Sequence, residues 1–203
     1  SSLTDDSATW LTNAVQIGFV AWALRASFVN LPDLVAARTL MATSAAIAAG
    51  ANLLLLAAPS AEAAIALRFL TGVALAGIYP PALKLISTWF IRGRGLALGI
   101  VIGALTLGSA FPHLLRATTT GLHWQVVVVG TSVMTLVGAA LMALFAREGP
   151  SAYPKATFNP RQLGDVLRNK PVMLANIGYF GHMWELYAMW GWFLAFIHGA
   201  LEP

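Results

Sequence analysis

The chain is dominated by apolar runs that are long enough to cross a lipid bilayer as helices. A hydrocarbon core about 30 Å thick requires roughly 20 apolar residues in a helix. Six runs approach or exceed this length, at residues 8–29, 39–58, 63–90, 95–115, 123–146 and 171–198. We therefore expect an all-α integral membrane protein, with six transmembrane helices in this sequence.

The composition supports a membrane protein and argues against other classes. The chain is 58% hydrophobic and only 10% charged, which lies outside the range of soluble domains. Its net charge is +4, but the basic residues lie between the apolar runs rather than on a soluble patch. We therefore expect the lipid bilayer as a partner and no nucleic acid. Since the chain has no cysteine, disulfides and thiolate metal ligands are excluded.

The basic loops give the chain an orientation. The loops after the first, third and fifth runs carry most of the basic residues, and Arg116 is the one clear basic residue of the opposite loops. Loops rich in Lys and Arg stay in the cytoplasm. We therefore expect Arg38, the turn at 92–95 and the segment 147–170 on the cytoplasmic side, and both ends of the sequence on the other side.

The segment 147–170 marks a change in composition. It holds three prolines and five basic residues and few large aliphatic residues. This pattern is typical of a linker, here with a short amphipathic helix at Pro160–Arg168. The sequence thus predicts a helical unit at 1–146, a cytoplasmic linker at 147–170 and one more membrane helix at 171–203.

Arg25 is a charge inside the first apolar run. It precedes Asp33 by eight residues, which is about 12 Å of helix at 1.5 Å per residue. One interpretation is an arginine whose long stem reaches back to the cytoplasmic headgroups. The other is a fixed positive charge in a cavity, which suits an anionic substrate or a carboxylate on another helix.

The last run carries three polar residues on one helical face. Tyr179, His182 and Glu185 follow each other at intervals of three residues, which places them within about 120° of one another around a helix. His182 and Glu185 lie roughly 17 and 21 Å from Pro171, near the bilayer midplane. Tyr179, His182 and Glu185 are candidates for substrate binding, and the His182–Glu185 pair is a candidate for carrying a proton. The alternative is a neutral Glu185 that is hydrogen-bonded to a neighbouring helix.

Two further groups of residues suggest a gate and a packing motif. Asp33 and Arg38 flank the first cytoplasmic turn. One interpretation is a solvated loop. The other is that Asp33 caps the following helix, or forms an ion pair with the basic turn at 92–95 that breaks in another conformation. Arg68 lies in the third run, in a structural or a transport role, and Pro80 and Pro81 should kink that run. The gating candidates are Asp33, Arg38, Arg92 and Arg94; the structural candidates are Arg68, Gly72, Gly95, Gly99 and Gly103, the glycines permitting close helix approach.

No pattern of an enzyme is present. The sequence lacks GxSxG, HExxH, Walker A and GxGxxG motifs, and its four histidines have no metal-ligand spacing. We therefore predict neither catalytic activity, nor a cofactor, nor a bound metal.

Several short motifs resemble those of the major facilitator superfamily, whose members have twelve helices in two halves joined by a long cytoplasmic loop. The resemblance implies that the six runs are helices two to seven, so that 1–146 is the N-terminal half without its first helix and 171–203 begins the C-terminal half. The rest of such a longer chain is then a partner. The matching residues are Asp33 with Arg38, Arg68–Gly72, Tyr79-Pro80, Trp89-Phe90, Arg94-Gly95 and Leu98-Gly99.

The first family motif is only partly present. Val29, Ala36 and Ala37 stand where the family has Gly, Gly and Arg. Arg25, thirteen residues before Arg38, is similar to the helix-two arginine that contacts the anion in nitrate/nitrite porters. The Gly- and Asn-rich signature of those porters is absent, so the resemblance implies an anion contact and not nitrate.

The resemblance implies a secondary active transporter of a small solute, such as an organic or inorganic anion, working by alternating access. We expect coupling to protons or to exchange, a site near the midplane between the two halves, and a bacterial inner membrane. The alternative is a membrane sensor or scaffold that descends from a transporter and does not transport.

Overall fold

A computed structural model describes residues 5–29, 35–118, 123–151 and 160–201. Within these ranges the chain is helical and forms no strand, which confirms the all-α prediction. The described residues form eight α-helices, namely α1 (Asp5–Val29), α2 (Ala37–Leu54), α3 (Ala61–Leu75), α4 (Tyr79–Trp89), α5 (Arg94–Thr118), α6 (Trp124–Phe145), α7 (Pro160–Arg168) and α8 (Lys170–Leu201). A 3₁₀ turn at Leu55–Ala57 follows α2.

Four stretches of the described chain are long and apolar enough to cross a membrane. They are Ala37–Ala57, Ala61–Trp89, Arg94–Pro112 and Trp124–Phe145. The predicted count of six is therefore not confirmed. The two predicted spans that are not among these stretches correspond to α1 and α8. They carry more polar groups: Asn13, Gln16 and Arg25 in α1, and the His182–Glu185 region in α8.

The predicted third span is interrupted. Residues 76–78 form a turn between α3 and α4, held by short-range bonds such as the Gly77 N–H to the Ala74 carbonyl (3.0 Å). Pro80 and Pro81 follow in the first turn of α4. Proline lacks an N–H, and the first turn of a helix is where that N–H has no partner in the helix. The two prolines therefore lie where a new helix begins. The kink predicted for this run takes the form of the turn at residues 76–78.

The chain divides into two compact units, Ser1–Thr157 and Phe158–Pro203. In the first unit α1 packs along α3, while α2 packs along both α3 and α6. Most of the core side chains are small, which lets helix backbones approach closely. The buried face of α2 consists of Ala37, Leu40, Met41, Ser44, Ala45, Ala48, Ala49 and Ala51.

The second unit contains α7 and α8, which contact each other. α7 has the bounds that the sequence predicts for the amphipathic helix. Asn169 separates the two helices, and its side-chain oxygen accepts a hydrogen bond from the Val172 N–H (3.3 Å), as an N-cap does. The division at 146 and 171 stays a prediction, with the boundary between the units inside the predicted linker.

Candidate functional site

Arg25 lies one helical turn before the described end of α1. The helix ends at Val29, and the Arg25 side chain is exposed in the first unit. Its role as a substrate contact stays a prediction.

The helices α1 and α3 touch backbone to backbone at two glycines. A Cβ atom at Gly72 would overlap the Val15 carbonyl, and one at Gly18 would overlap the Phe69 carbonyl. Both glycines are buried, and Arg68 lies half-buried one turn before Gly72. The geometry gives Gly72 the close helix approach expected of it. Gly18 was not among the predicted residues, although its four-residue spacing from buried Ala14 is the same small-residue signal.

A groove of about 450 Å³ runs beside this contact, toward the start of α1. Among the described residues that line it, Glu62 in the first turn of α3 is the charged one. Arg25 does not line the groove. The remaining lining residues are apolar and come from both helices: Trp10, Ala14, Ile17, Ile65, Ala66 and Phe69.

A polar cluster around Asn52, which we call the Asn52 cluster, joins α2 to α6. The Asn52 side-chain amide donates to the Ser132 hydroxyl (2.9 Å), the Thr131 hydroxyl (3.3 Å) and the Val128 carbonyl (3.3 Å). Ser132 is only 1% exposed. These bonds fix the register of the two helices. The sequence signal is a lone Asn in one apolar run and a Thr-Ser pair in another.

The basic turn caps the end of α4. Gly93 has a φ of +74°, a conformation that favours glycine. The turn brings Arg94 back so that its Nε donates to the Phe90 carbonyl (3.3 Å) and its Nη2 to the Ser87 carbonyl (3.5 Å). Carbonyls at a helix C-terminus lack partners within the helix and attract positive charge. Arg94 therefore also has a local structural role.

The other gating candidates are only partly described. Arg92 is exposed in the turn, and Arg38 is exposed in the first turn of α2. Asp33 lies outside the described residues. The predicted pair between Asp33 and the basic turn stays a prediction.

The glycine stripe of α5 faces open space in the described chain. A Cβ atom at Gly95, Gly99 or Gly103 would meet no atom of the described residues within 4 Å. All three positions are exposed. A close helix approach at this stripe stays a prediction.

Tyr179, His182 and Glu185 lie in α8, in the second unit. The helix is continuous from Lys170 to Leu201, so the three residues share a face. All three are exposed within their unit. Among the residues that the structure describes, no cluster of three or more His, Asp or Glu side chains is arranged to hold a metal ion.

Comparison with known proteins relates the chain to membrane transporters. Residues 2–201 match a family model described as Major Facilitator Superfamily. The "MFS-type transporter pytF" of Aspergillus terreus is 28% identical over 137 residues, which cover 66% of this chain and 44% of that protein. The "MFS transporter asaE" of Aspergillus flavus is 30% identical over 88 residues, which cover 42% of this chain and 20% of that protein.

The chain thus spans less than half the length of the curated relatives it matches. No solved structure matches it significantly. The comparisons do not show the expected similarity to nitrate/nitrite porters. Both relatives are fungal, so the expected bacterial inner membrane is not supported either.

Proposed function

Because the chain belongs to the Major Facilitator Superfamily, we propose that it is part of a secondary active transporter that moves a small solute by alternating access. The observation that carries this proposal is the family match over residues 2–201. Four membrane-length helical stretches agree with it. The chain is an integral, multi-pass membrane protein, and we propose no catalytic activity for it.

We propose that the solute is an anion and that Arg25 contacts it. An arginine in a membrane helix is costly unless a partner or water compensates its charge. Arg25 is exposed on its helix, whereas Arg68 lies half-buried beside the α1–α3 contact. This difference favours Arg25 for binding and Arg68 for structure.

Coupling to protons or to exchange is assigned to the polar face of α8. A histidine and a carboxylate that lie one helical turn apart can pass a proton between them, and His182 and Glu185 have this spacing in α8. Tyr179 adds a hydroxyl to the same face. Asp33, Arg38, Arg92 and Arg94 would form the cytoplasmic gate, in which the pairing of charges differs between the two access states.

The test is uptake by the full-length protein in proteoliposomes. The solutes are a panel of radiolabelled inorganic and small organic anions, with uncharged and cationic solutes of similar size for comparison. We expect anion uptake that falls about tenfold or more in Arg25→Ala and in Glu185→Gln, because each change removes a charged or hydrogen-bonding partner.

Matched controls separate these effects from a loss of folding. Arg168→Ala and Asp165→Asn remove the same kinds of charge from exposed positions on α7 and should transport like the parent. Unchanged uptake in both Arg25→Ala and Glu185→Gln would remove the site assignment. A parent protein that transports no member of the panel would favour the sensor or scaffold instead.

A further inference from the structure

The residues that follow α6 lie across the C-terminal end of α4. The Trp89 Nε1–H donates to the Arg147 carbonyl (2.8 Å). The Gly149 N–H donates to the Thr88 hydroxyl (2.8 Å), and the Ser151 N–H donates to the Thr88 carbonyl (3.1 Å). We call these three hydrogen bonds the clasp. It ties the start of the 147–170 segment to a helix that ends some sixty residues earlier.

Thr88 is the centre of the clasp. Its hydroxyl accepts from Gly149 while donating to the Leu85 carbonyl (2.7 Å), so both of its hydrogen-bonding functions are used. The residue is only 5% exposed. A bond shielded from water in this way is costly to break, because neither group finds a replacement partner easily.

Gly149 fits the clasp because it has no side chain. A Cβ atom there would lie 2.5 Å from the Thr88 carbonyl oxygen and 2.7 Å from its hydroxyl oxygen. The nearest obstacle is backbone, which cannot rotate away as a flexible side chain would. The clasp thus requires a hydroxyl at Thr88 and the absence of a side chain at Gly149.

The same helix end also holds the basic turn. Arg94 caps the Ser87 and Phe90 carbonyls, while Ser151 caps the Thr88 carbonyl. The carbonyls that a helix end leaves without partners are thus shared between the start of α5 and the segment after α6. Three parts of the first unit therefore meet at this point: the end of α4, the start of α5 and the segment after α6.

We propose that Thr88 is a positioning residue of the transport cycle. Through the clasp it makes the cytoplasmic ends of α4 and α6 move as one body, and it fixes the point from which the 147–170 segment leaves. This inference rests on the proposed function. A loosened clasp lowers the maximal transport rate and leaves the KM unchanged, because no proposed substrate contact is touched.

The first readout is amide hydrogen exchange in the full-length protein, followed by mass spectrometry of peptides covering 146–151. We expect protection in the parent, because the Gly149 and Ser151 amides are bonded. Thr88→Val keeps the shape and removes the hydroxyl, so exchange should become about tenfold faster, the change expected for the loss of a buried hydrogen bond. Thr88→Ser should restore protection.

The second readout is the transport rate of the same variants, with the anion that the uptake panel selects. Thr88→Val should lower the maximal rate severalfold at constant KM, and Thr88→Ser should recover it. Gly149→Ala breaks the clasp from its other side and should act like Thr88→Val. Ser87→Ala is the matched control, since the Ser87 hydroxyl donates within α4, to the Leu83 carbonyl (2.7 Å).

The two readouts separate failure of the clasp from failure of the proposed function. Unprotected amides in a transporting parent would overturn the clasp. Protected amides with parent-like transport in Thr88→Val and Gly149→Ala would overturn its role in the cycle. A parent that does not transport would overturn the proposed function, and the role of Thr88 with it, even where the amides are protected.

Discussion

At the scale of single residues, the glycines differ in what they do. Gly72 lies against the Val15 backbone, whereas a Cβ atom at Gly50 in α2 would meet nothing within 4 Å. Both are helix positions, where alanine is intrinsically favoured over glycine by about 1 kcal/mol. The same substitution therefore has opposite expected effects at the two sites.

We expect Gly72→Ala to destabilise the full-length protein by about 1–3 kcal/mol, since the helices must separate to admit a methyl group. Gly50→Ala should be neutral or slightly stabilising. The measurement is the midpoint of thermal unfolding in detergent micelles for the parent and both variants. A midpoint for Gly72→Ala equal to or above that of Gly50→Ala would contradict the backbone contact between α1 and α3.

At the scale of helices, the Asn52 cluster is the polar link between α2 and α6. Interhelical hydrogen bonds in membranes contribute about 0.6 kcal/mol on average and up to about 1.7 kcal/mol. A double-mutant cycle of Asn52→Ala and Ser132→Ala should therefore give a coupling energy of about 1 kcal/mol in unfolding measurements. Thr135→Val is a control, because the Thr135 hydroxyl bonds within α6, to the Thr131 carbonyl.

Strictly additive effects of Asn52→Ala and Ser132→Ala would show that the bond does not hold these helices together. Coupling that also appears between Asn52→Ala and Thr135→Val would point to a general loosening of α6 rather than to the cluster. Only coupling confined to the first pair supports the register described here.

Local chemistry was predictable from the sequence, and distant contacts were not. The interruption near Pro80 and Pro81 follows from the missing proline N–H, and the bounds of α7 follow from composition. The clasp and the Asn52 cluster join residues that are about sixty to eighty positions apart. Their partners depend on how the helices pack, which no local pattern of Thr, Gly or Asn specifies.

The candidate site was predictable only as residue types and helix positions. Arg25 and the Tyr179–Glu185 face are unusual because ionisable groups are rare in apolar runs. That rarity identifies them from sequence alone. The predicted spans that correspond to α1 and α8 hold these same ionisable groups, and they are not among the membrane-length stretches found in the described chain.

At the scale of the whole molecule, the central claim is alternating access in a protein of which this chain is a part. The chain has no cysteine, so a single introduced thiol in this region gives an unambiguous label. Gly178 is suited to this purpose, because it is exposed and a Cβ atom there would meet nothing within 4 Å in the described chain. It also lies on the same helical face as His182, one turn earlier.

The most direct test labels Gly178→Cys in the full-length protein with a membrane-impermeant maleimide, after replacement of any cysteines elsewhere in that protein. Labelling is measured separately from each side of the membrane, with and without the anion that the uptake panel selects. Alternating access predicts a reciprocal change, in which the anion lowers the labelling rate from one side and raises it from the other. Rates that the anion leaves unchanged from both sides, in a protein with a parent-like unfolding midpoint, would contradict the claim.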